Sequence, residues 1–129
     1  MFYKLLVVDD NRGCAELYKT RFEHDEWEVM IAYSAEQAME VLKDEDYLPD
    51  AILLDLMLPK MQGGEYLHVL RNDSKTKNIV IVVLTALNIN SADQDEISSE
   101  ADAYIMKIDI MPNELVKKVT ELVEKKQIK

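Results

Sequence analysis

The chain has 129 residues, of which 48% are hydrophobic and 31% charged, and a formal net charge of −10. That length suits one compact domain, read as residues 1–129, and the composition excludes disorder as the main state. The acid excess argues against DNA or RNA as a direct ligand, since phosphate backbones need a basic stripe, but it suits cationic partners or a divalent metal.

Taken in order, "KLLVVD" (4–9) opens with a short apolar run that reads as a buried strand. The preceding residues reach acids too early for a signal peptide. "CAELYKTRFE" then spaces Ala15, Leu17, Tyr18 and Phe22 as a helix would. Its lone cysteine, Cys14, has no internal disulfide partner and suits a reducing compartment and a small apolar role. A second strand is expected at "EVMIA" (28–32). The helix after it, "SAEQAMEVLKDED", begins with a capping box, Ser34 with Gln37, and carries Ala35, Ala38, Met39 and Leu42 on one face. "AILLD" (51–55) is the third strand and "GGEYLHVLRND" a further helix with Tyr66, Leu67 and Leu70 inward. "NIVIVVLT" (78–85) is the fourth strand, and "AYIM" (103–106) a weaker fifth.

Pro112 suits the first turn of the last helix, whose stripe is Leu115, Val116, Val119, Leu122 and Val123. The tail "VEKKQIK" is read as a fraying end or a point where a longer chain was cut. No apolar run reaches the roughly eighteen residues of a membrane span, so a cytoplasmic, membrane-free protein is expected. Three of the strands are nearly continuous in Val, Ile and Leu, the pattern of strands covered on both faces. Five strands alternating with five helices give (βα)5, an α/β doubly wound, flavodoxin-like parallel sheet with expected strand order 2-1-3-4-5.

Such sheets bind ligands beyond the carboxyl ends of their strands, where the strand order reverses. There the first strand ends in Asp9 and Asp10, and the third in Asp55, the one acid in the apolar run "AILLDLML" that opens "AILLDLMLPKMQGGE". The fourth ends in Thr85, and Lys107 follows the fifth. Two carboxylates about 5 Å apart repel by roughly 3 kcal/mol at an effective dielectric near 20, so three of them call for a cation. Hard oxygen donors with room for water suit Mg²⁺, and Lys107 adds a second positive charge. Singly, each residue has a plainer reading: an N-cap for Asp9 or Asp10, a strand end for Thr85, a solvated side chain for Lys107, a sheet-covering residue for Tyr104. Their convergence on one edge favours a functional site. Neither GxxxxGK[ST] nor GxGxxG occurs, and His24 and His68 stand apart in helical segments as surface residues.

In this order and spacing, "LLVVDD", "ILLDLMLPKMQGGE", "VLTA" and "ADAYIMK" resemble the receiver domain of bacterial two-component response regulators, over essentially the whole chain. The likeness is close to the single-domain chemotaxis regulator. It implies that Asp55 accepts a phosphoryl group, with Asp10 a direct Mg²⁺ ligand, Asp9 acting largely through water and the Met57 carbonyl another ligand. By the same likeness Thr85 is the switch hydroxyl, Lys107 the phosphate-contacting lysine and Tyr104 the aromatic switch. Pro59 and Gly63 would belong to the loop after the acceptor. The implied phosphodonor is a sensor histidine kinase or histidine phosphotransfer protein. The implied output is a change in the face made by the fourth helix, fifth strand and fifth helix, offered to a protein target. The protein would be a switch rather than a metabolic enzyme.

Two departures from the family carry their own expectations. Ile108 follows Lys107 where the family usually has proline, so a trans peptide and an altered loop are expected. Glu100 stands where glycine often ends the fourth helix, so that helix should end differently. Met57 and Leu87, two residues past the acceptor and the switch threonine, are apolar and cannot orient water, which implies slow autodephosphorylation. One competing reading is a Mg²⁺-dependent phosphatase with an aspartyl nucleophile, disfavoured because Met57 replaces its usual second acid. Another is a phosphate-independent interaction domain, disfavoured by the intact polar set.

Overall fold

A computed structural model describes residues 2–86 and 89–127. Five parallel strands, β1 (Lys4–Val8), β2 (Glu28–Ala32), β3 (Ala51–Leu54), β4 (Val80–Thr85) and β5 (Ala103–Met106), lie in the order β2-β1-β3-β4-β5. Between and after them run α1 (Arg12–His24), α2 (Ala35–Leu42), α3 (Gly63–Arg71), α4 (Ser91–Glu100) and α5 (Pro112–Gln127). The expected fold class and strand order are therefore those observed.

Alternation along the strands divides the core in two. Leu5, Val7, Leu53, Val82 and Leu84 face α1 and α5, packing on Phe22, Leu115, Val116 and Val119. Leu6, Val8, Ile52, Leu54, Ile81 and Val83 face the other way, onto Ala35, Ala38, Tyr66, Leu67 and Leu70. Every residue of β3 and β4 is buried, which is why their sequences are continuously apolar. Half-buried Cys14 packs against the first of these clusters, in keeping with its expected apolar role.

Several boundaries are shorter than expected, each for a local reason. Asp9 and Asp55 lie just outside β1 and β3. Asn78 and Ile79 precede β4, and Arg71 Nη1 donates to the Ile79 carbonyl at 2.7 Å. The capping box at α2 forms: Gln37 N–H donates to Ser34 Oγ (3.1 Å), while Gln37 Oε1 reaches the Tyr33 N–H (2.8 Å). The helix stops at Leu42 rather than running to residue 46, because the acids Asp44, Glu45 and Asp46 oppose the negative end of its dipole. Lys75 then closes it, its Nζ donating to the carbonyls of Leu42 (2.6 Å) and Asp44 (2.7 Å). Gly63 belongs to the first turn of α3 rather than to the loop before it.

The carboxyl end of α4 departs from a glycine-terminated helix as the sequence implied. Ala101 adopts an extended backbone (φ −91°, ψ 153°), so no left-handed residue is needed. Arg71 secures this junction. Its Nε donates to the Glu100 carbonyl (2.6 Å) and its Nη2 to Asp102 Oδ2 (2.8 Å), and Asp102 Oδ2 also accepts from the Ile81 N–H (2.8 Å). No helix is long and apolar enough to cross a membrane among the described residues.

Candidate functional site

β1 and β3 are adjacent and parallel with Val8 beside Leu54, so the residues that follow them, Asp9 and Asp55, emerge together. The crossover from β1 leads into α1 and that from β3 into α3, and the crevice opens between these departures. Asp9 is buried, and one of its oxygens accepts the Asn11 N–H at 2.9 Å. Asn11 in turn caps α1, its Oδ1 accepting from the Cys14 N–H at 3.0 Å. The helix-cap role that could have explained the acidic pair thus falls to Asn11. Asp9 and Asp10 remain available for the crevice.

Asp55 is only 6% exposed. Its Oδ1 accepts the Met57 N–H at 3.0 Å, and its Oδ2 lies 3.2 Å from Lys107 Nζ. The same ammonium donates to Asp9 Oδ2 at 2.9 Å. Lys107 gets there because β5 lies beside β4 and ends level with it, Thr85 beside Met106. The Lys107–Ile108 peptide is trans, and residues Lys107–Asp109 form one turn of 3₁₀ helix. The trans peptide is as expected, and with it the Lys107 ammonium reaches both carboxylates. Ile108 points away from the protein, 89% exposed.

Asp10 completes the acidic group. Oxygens of Asp9, Asp10 and Asp55 all lie within 4.8 Å of one another, and Asp10 alone is exposed. Two buried hard donors and one facing water fit a Mg²⁺ ion that keeps part of its hydration shell, whereas a softer metal would call for nitrogen or sulfur donors.

The electrostatics follow from burial. Desolvation pushes the Asp55 carboxyl up from its usual 3.8 to about 6, with the Met57 N–H opposing, Asp9 adding and Lys107 opposing. Burial pulls Lys107 down, but the carboxylates of Asp9 and Asp55 outweigh it and hold the lysine firmly charged. The result is a carboxylate more basic than usual, beside a fixed cation, in a crevice open on the Asp10 side.

The remaining expected residues sit around this centre. Thr85, fully buried, ends β4. Tyr104 is half-buried on β5, three residues before Lys107, against the cluster beneath α2 and α3. Met57 lies in the loop after Asp55 with its side chain 53% exposed, and Pro59 is exposed in the same loop. Leu87 lies outside the described residues. Sequence reasoning treated Tyr18 only as part of a helical stripe, but it stands with Asp9, Asp55 and Leu84 around one narrow packing gap, too tight for a water, beneath the crevice. Burial pushes its hydroxyl up to about 12. Its spacing in α1 gave no signal to separate it from Phe22. The Arg71–Asp102 clip was missed as well, because the partners are 31 residues apart and neither belongs to a motif.

Comparison with known proteins agrees with this geometry. The model of the response regulator receiver domain family matches residues 5–120. Among curated relatives, the DNA-binding response regulator MtrA of Mycobacterium tuberculosis is 36% identical over 119 residues, 92% of this chain and 50% of that protein. The DNA-binding dual master transcriptional regulator RpaA of Synechocystis is 32% identical over 108 residues, 81% of this chain and 42% of that protein. The chain thus spans about half the length of such relatives. Among solved structures, a CheY-like receiver domain protein from Methanospirillum hungatei superimposes with a TM-score of 0.85 at 26% identity, covering 98% of both chains. The receiver domain of Francisella response regulator 1452 gives 0.80 at 28% identity, covering 95% of this chain and 98% of its own. The chain belongs to the response regulator receiver domain family of two-component signalling.

Proposed function

We propose that this receiver domain is a phosphorylation switch that takes a phosphoryl group onto Asp55 and signals by a change in a protein-binding face. The observation that carries this reading is the placement of Lys107 Nζ between Asp9 (2.9 Å) and Asp55 (3.2 Å), with Asp10 beside them. The donor is a phosphohistidine on a sensor kinase or phosphotransfer protein. An Asp55 carboxylate oxygen forms the new bond to phosphorus, the phosphorus–nitrogen bond breaks, and its electron pair returns to the histidine ring. Asp9, Asp10, Asp55 and the Met57 carbonyl would hold Mg²⁺, whose charge offsets that of the transferring group. Lys107 supplies the chain's own positive charge at the phosphoryl oxygens and keeps Asp55 in position beforehand.

The proposed output follows from the position of Thr85. A phosphoryl group on Asp55 presents new acceptor oxygens toward the end of β4, where the Thr85 hydroxyl can donate to them. Its movement frees space toward Tyr104, which lies one strand over and is already half-buried. Rotation of that ring alters the α4–β5–α5 face, a shift between two populated states of one surface. The domain is proposed to be cytoplasmic, to turn over only its own phosphoryl group, and to contact no nucleic acid itself. Incubation with Mg²⁺ and acetyl phosphate, followed by intact-mass measurement, tests the acceptor. Wild type should gain the mass of one phosphoryl group and Asp55→Asn none. Equal gain in both would overturn the assignment.

A further inference from the structure

On the far side of the sheet from α1 and α5, helices α3 and α4 border a surface groove of about 540 Å³. Its floor is apolar, with buried Leu56, half-buried Met61, Ile89 and Ile97, and exposed Val69. Its rim is acidic: Glu65 from α3, and Asp93, Glu96 and Glu100 from α4. Neither lysine nor arginine is among its described lining residues; His68 of the lining binds Glu100 Oε2 through Nδ1 at 3.0 Å, and Arg71 reaches the Glu100 carbonyl from outside it.

The cause of the groove lies in the sequence of α4. "SADQDEISSE" offers a single large apolar side chain, Ile97, and no residue of the helix is buried. Ile97 rests over Gly64 of α3, where an added Cβ would meet its Cδ1 at 3.7 Å. An ordinary amphipathic helix would bring a second and third apolar side chain to this contact and close it. Among the described residues, the hydrogen bonds of Arg71 and His68 to Glu100 tie the carboxyl end of α4 to α3. The helices are fixed at one end and an apolar strip remains open between them.

Charge selects the occupant. A second copy of a chain carrying −10 would bring more carboxylate against the four on the rim, and anionic lipid or nucleic acid would be repelled in the same way. A cationic rim on an apolar stripe is complementary in both respects, and that pattern is a short helix with leucine-like residues at i, i+3, i+4 and i+7 flanked by lysine or arginine. The ten residues of α4 run about 15 Å at 1.5 Å each, room for roughly three turns of such a helix. We propose that the α3–α4 groove is a docking site for a basic amphipathic helical segment of a partner protein. Docking there does not require phosphorylation of Asp55, so it stands apart from the acceptor chemistry.

The probe is a synthetic peptide of about twelve residues, with leucine on one helical face and lysine elsewhere. It is compared with a sequence-scrambled peptide of the same composition and with a glutamate-for-lysine version. Binding to the full chain is followed by fluorescence anisotropy and by amide chemical-shift mapping. The lysine peptide should bind and its shifts should concentrate on α3 and α4. The double variant Glu65→Gln, Glu96→Gln should weaken it by about fivefold and Ile97→Ala by roughly tenfold. Val69→Gln, at an exposed position that does not threaten folding, should also weaken it, whereas Glu121→Gln with Glu124→Gln on α5 should change nothing. Equal binding of the scrambled peptide, shifts spread over the whole acidic surface, or indifference to the groove variants would each overturn the proposal. So would concentration-dependent shifts at α3 and α4 without peptide, which would give the groove to a second copy.

Discussion

Replacing Asp55 by asparagine should make the metal-free protein more stable, although it removes one partner of a buried ion pair. Burial raises the Asp55 carboxyl from 3.8 to about 6, so the folded state holds its proton more tightly than the unfolded state does. The sign is opposite to that of a usual salt-bridged aspartate. Below its unfolded value the group costs nothing; the penalty grows as pH rises through the window between 3.8 and about 6, and is complete above it. At about 1.4 kcal/mol per unit the ceiling is roughly 3 kcal/mol. Water entering the open crevice screens part of this, so about 1–2 kcal/mol is expected, or roughly 3–6 °C in melting temperature. Asparagine keeps an oxygen to accept from Met57 or Lys107 but carries no charge.

Urea unfolding of wild type and Asp55→Asn, with EDTA present, reads the difference directly. The gap should be largest at about pH 7.5 and shrink by roughly half near pH 5, because groups away from the crevice ionise alike in the two proteins and Lys107 stays charged across this range. Addition of Mg²⁺ should narrow it at neutral pH, since the ion binds the folded wild type and relieves the same repulsion. An asparagine variant that is less stable at neutral pH, or a gap independent of pH, would refute the reasoning. The first result would mean that Lys107 and the Met57 N–H outweigh the desolvation of Asp55, and the second that they balance it.

Three further outcomes are expected. Phospho-Asp55 should persist for minutes or longer without a phosphatase, since the exposed thioether of Met57 cannot orient water, and Met57→Gln should shorten its life; phosphoryl loss followed by intact mass checks this, and unchanged decay would argue against the water-positioning account. Arg71→Met should cost about 2–4 kcal/mol in chemical denaturation, because it strips donors from the carbonyls of Glu100, Lys77 and Ile79 and leaves Asp102 without its cation. Glu26→Gly should stabilise the fold by about 0.5–1 kcal/mol, because Glu26 sits in the turn between α1 and β2 with φ 69°, a conformation that glycine adopts without a Cβ clash; a lower unfolding midpoint would contradict this.

How much of this was legible in the sequence depended on whether a feature is periodic, terminal or relational. The strands announced themselves because burial on both faces leaves no polar position to interrupt Val, Ile and Leu. Asp9, Asp55, Thr85 and Lys107 could be placed at one edge because each stands at or just past the end of a strand, and parallel topology puts all such ends together. Tyr18 and Arg71 were not legible for the complementary reason. Tyr18 shares its helical face with Phe22, and only the tertiary placement of α1 decides which of the two lies under the crevice. Arg71 acts on carbonyls of the α3–β4 loop and the end of α4, partners with no side-chain signature. The fourth helix is the most instructive element. Strand alternation required a helix there, yet its residues form no apolar stripe, and the structure keeps both facts: Asn90 caps it, its Oδ1 accepting the Asp93 N–H at 2.9 Å, and none of its residues is buried. A helix held by its cap and by Arg71 rather than by its own packing has little to lose by shifting. The same missing stripe that made α4 hard to read would, in the proposed switch, let a buried change at Thr85 move it at little cost.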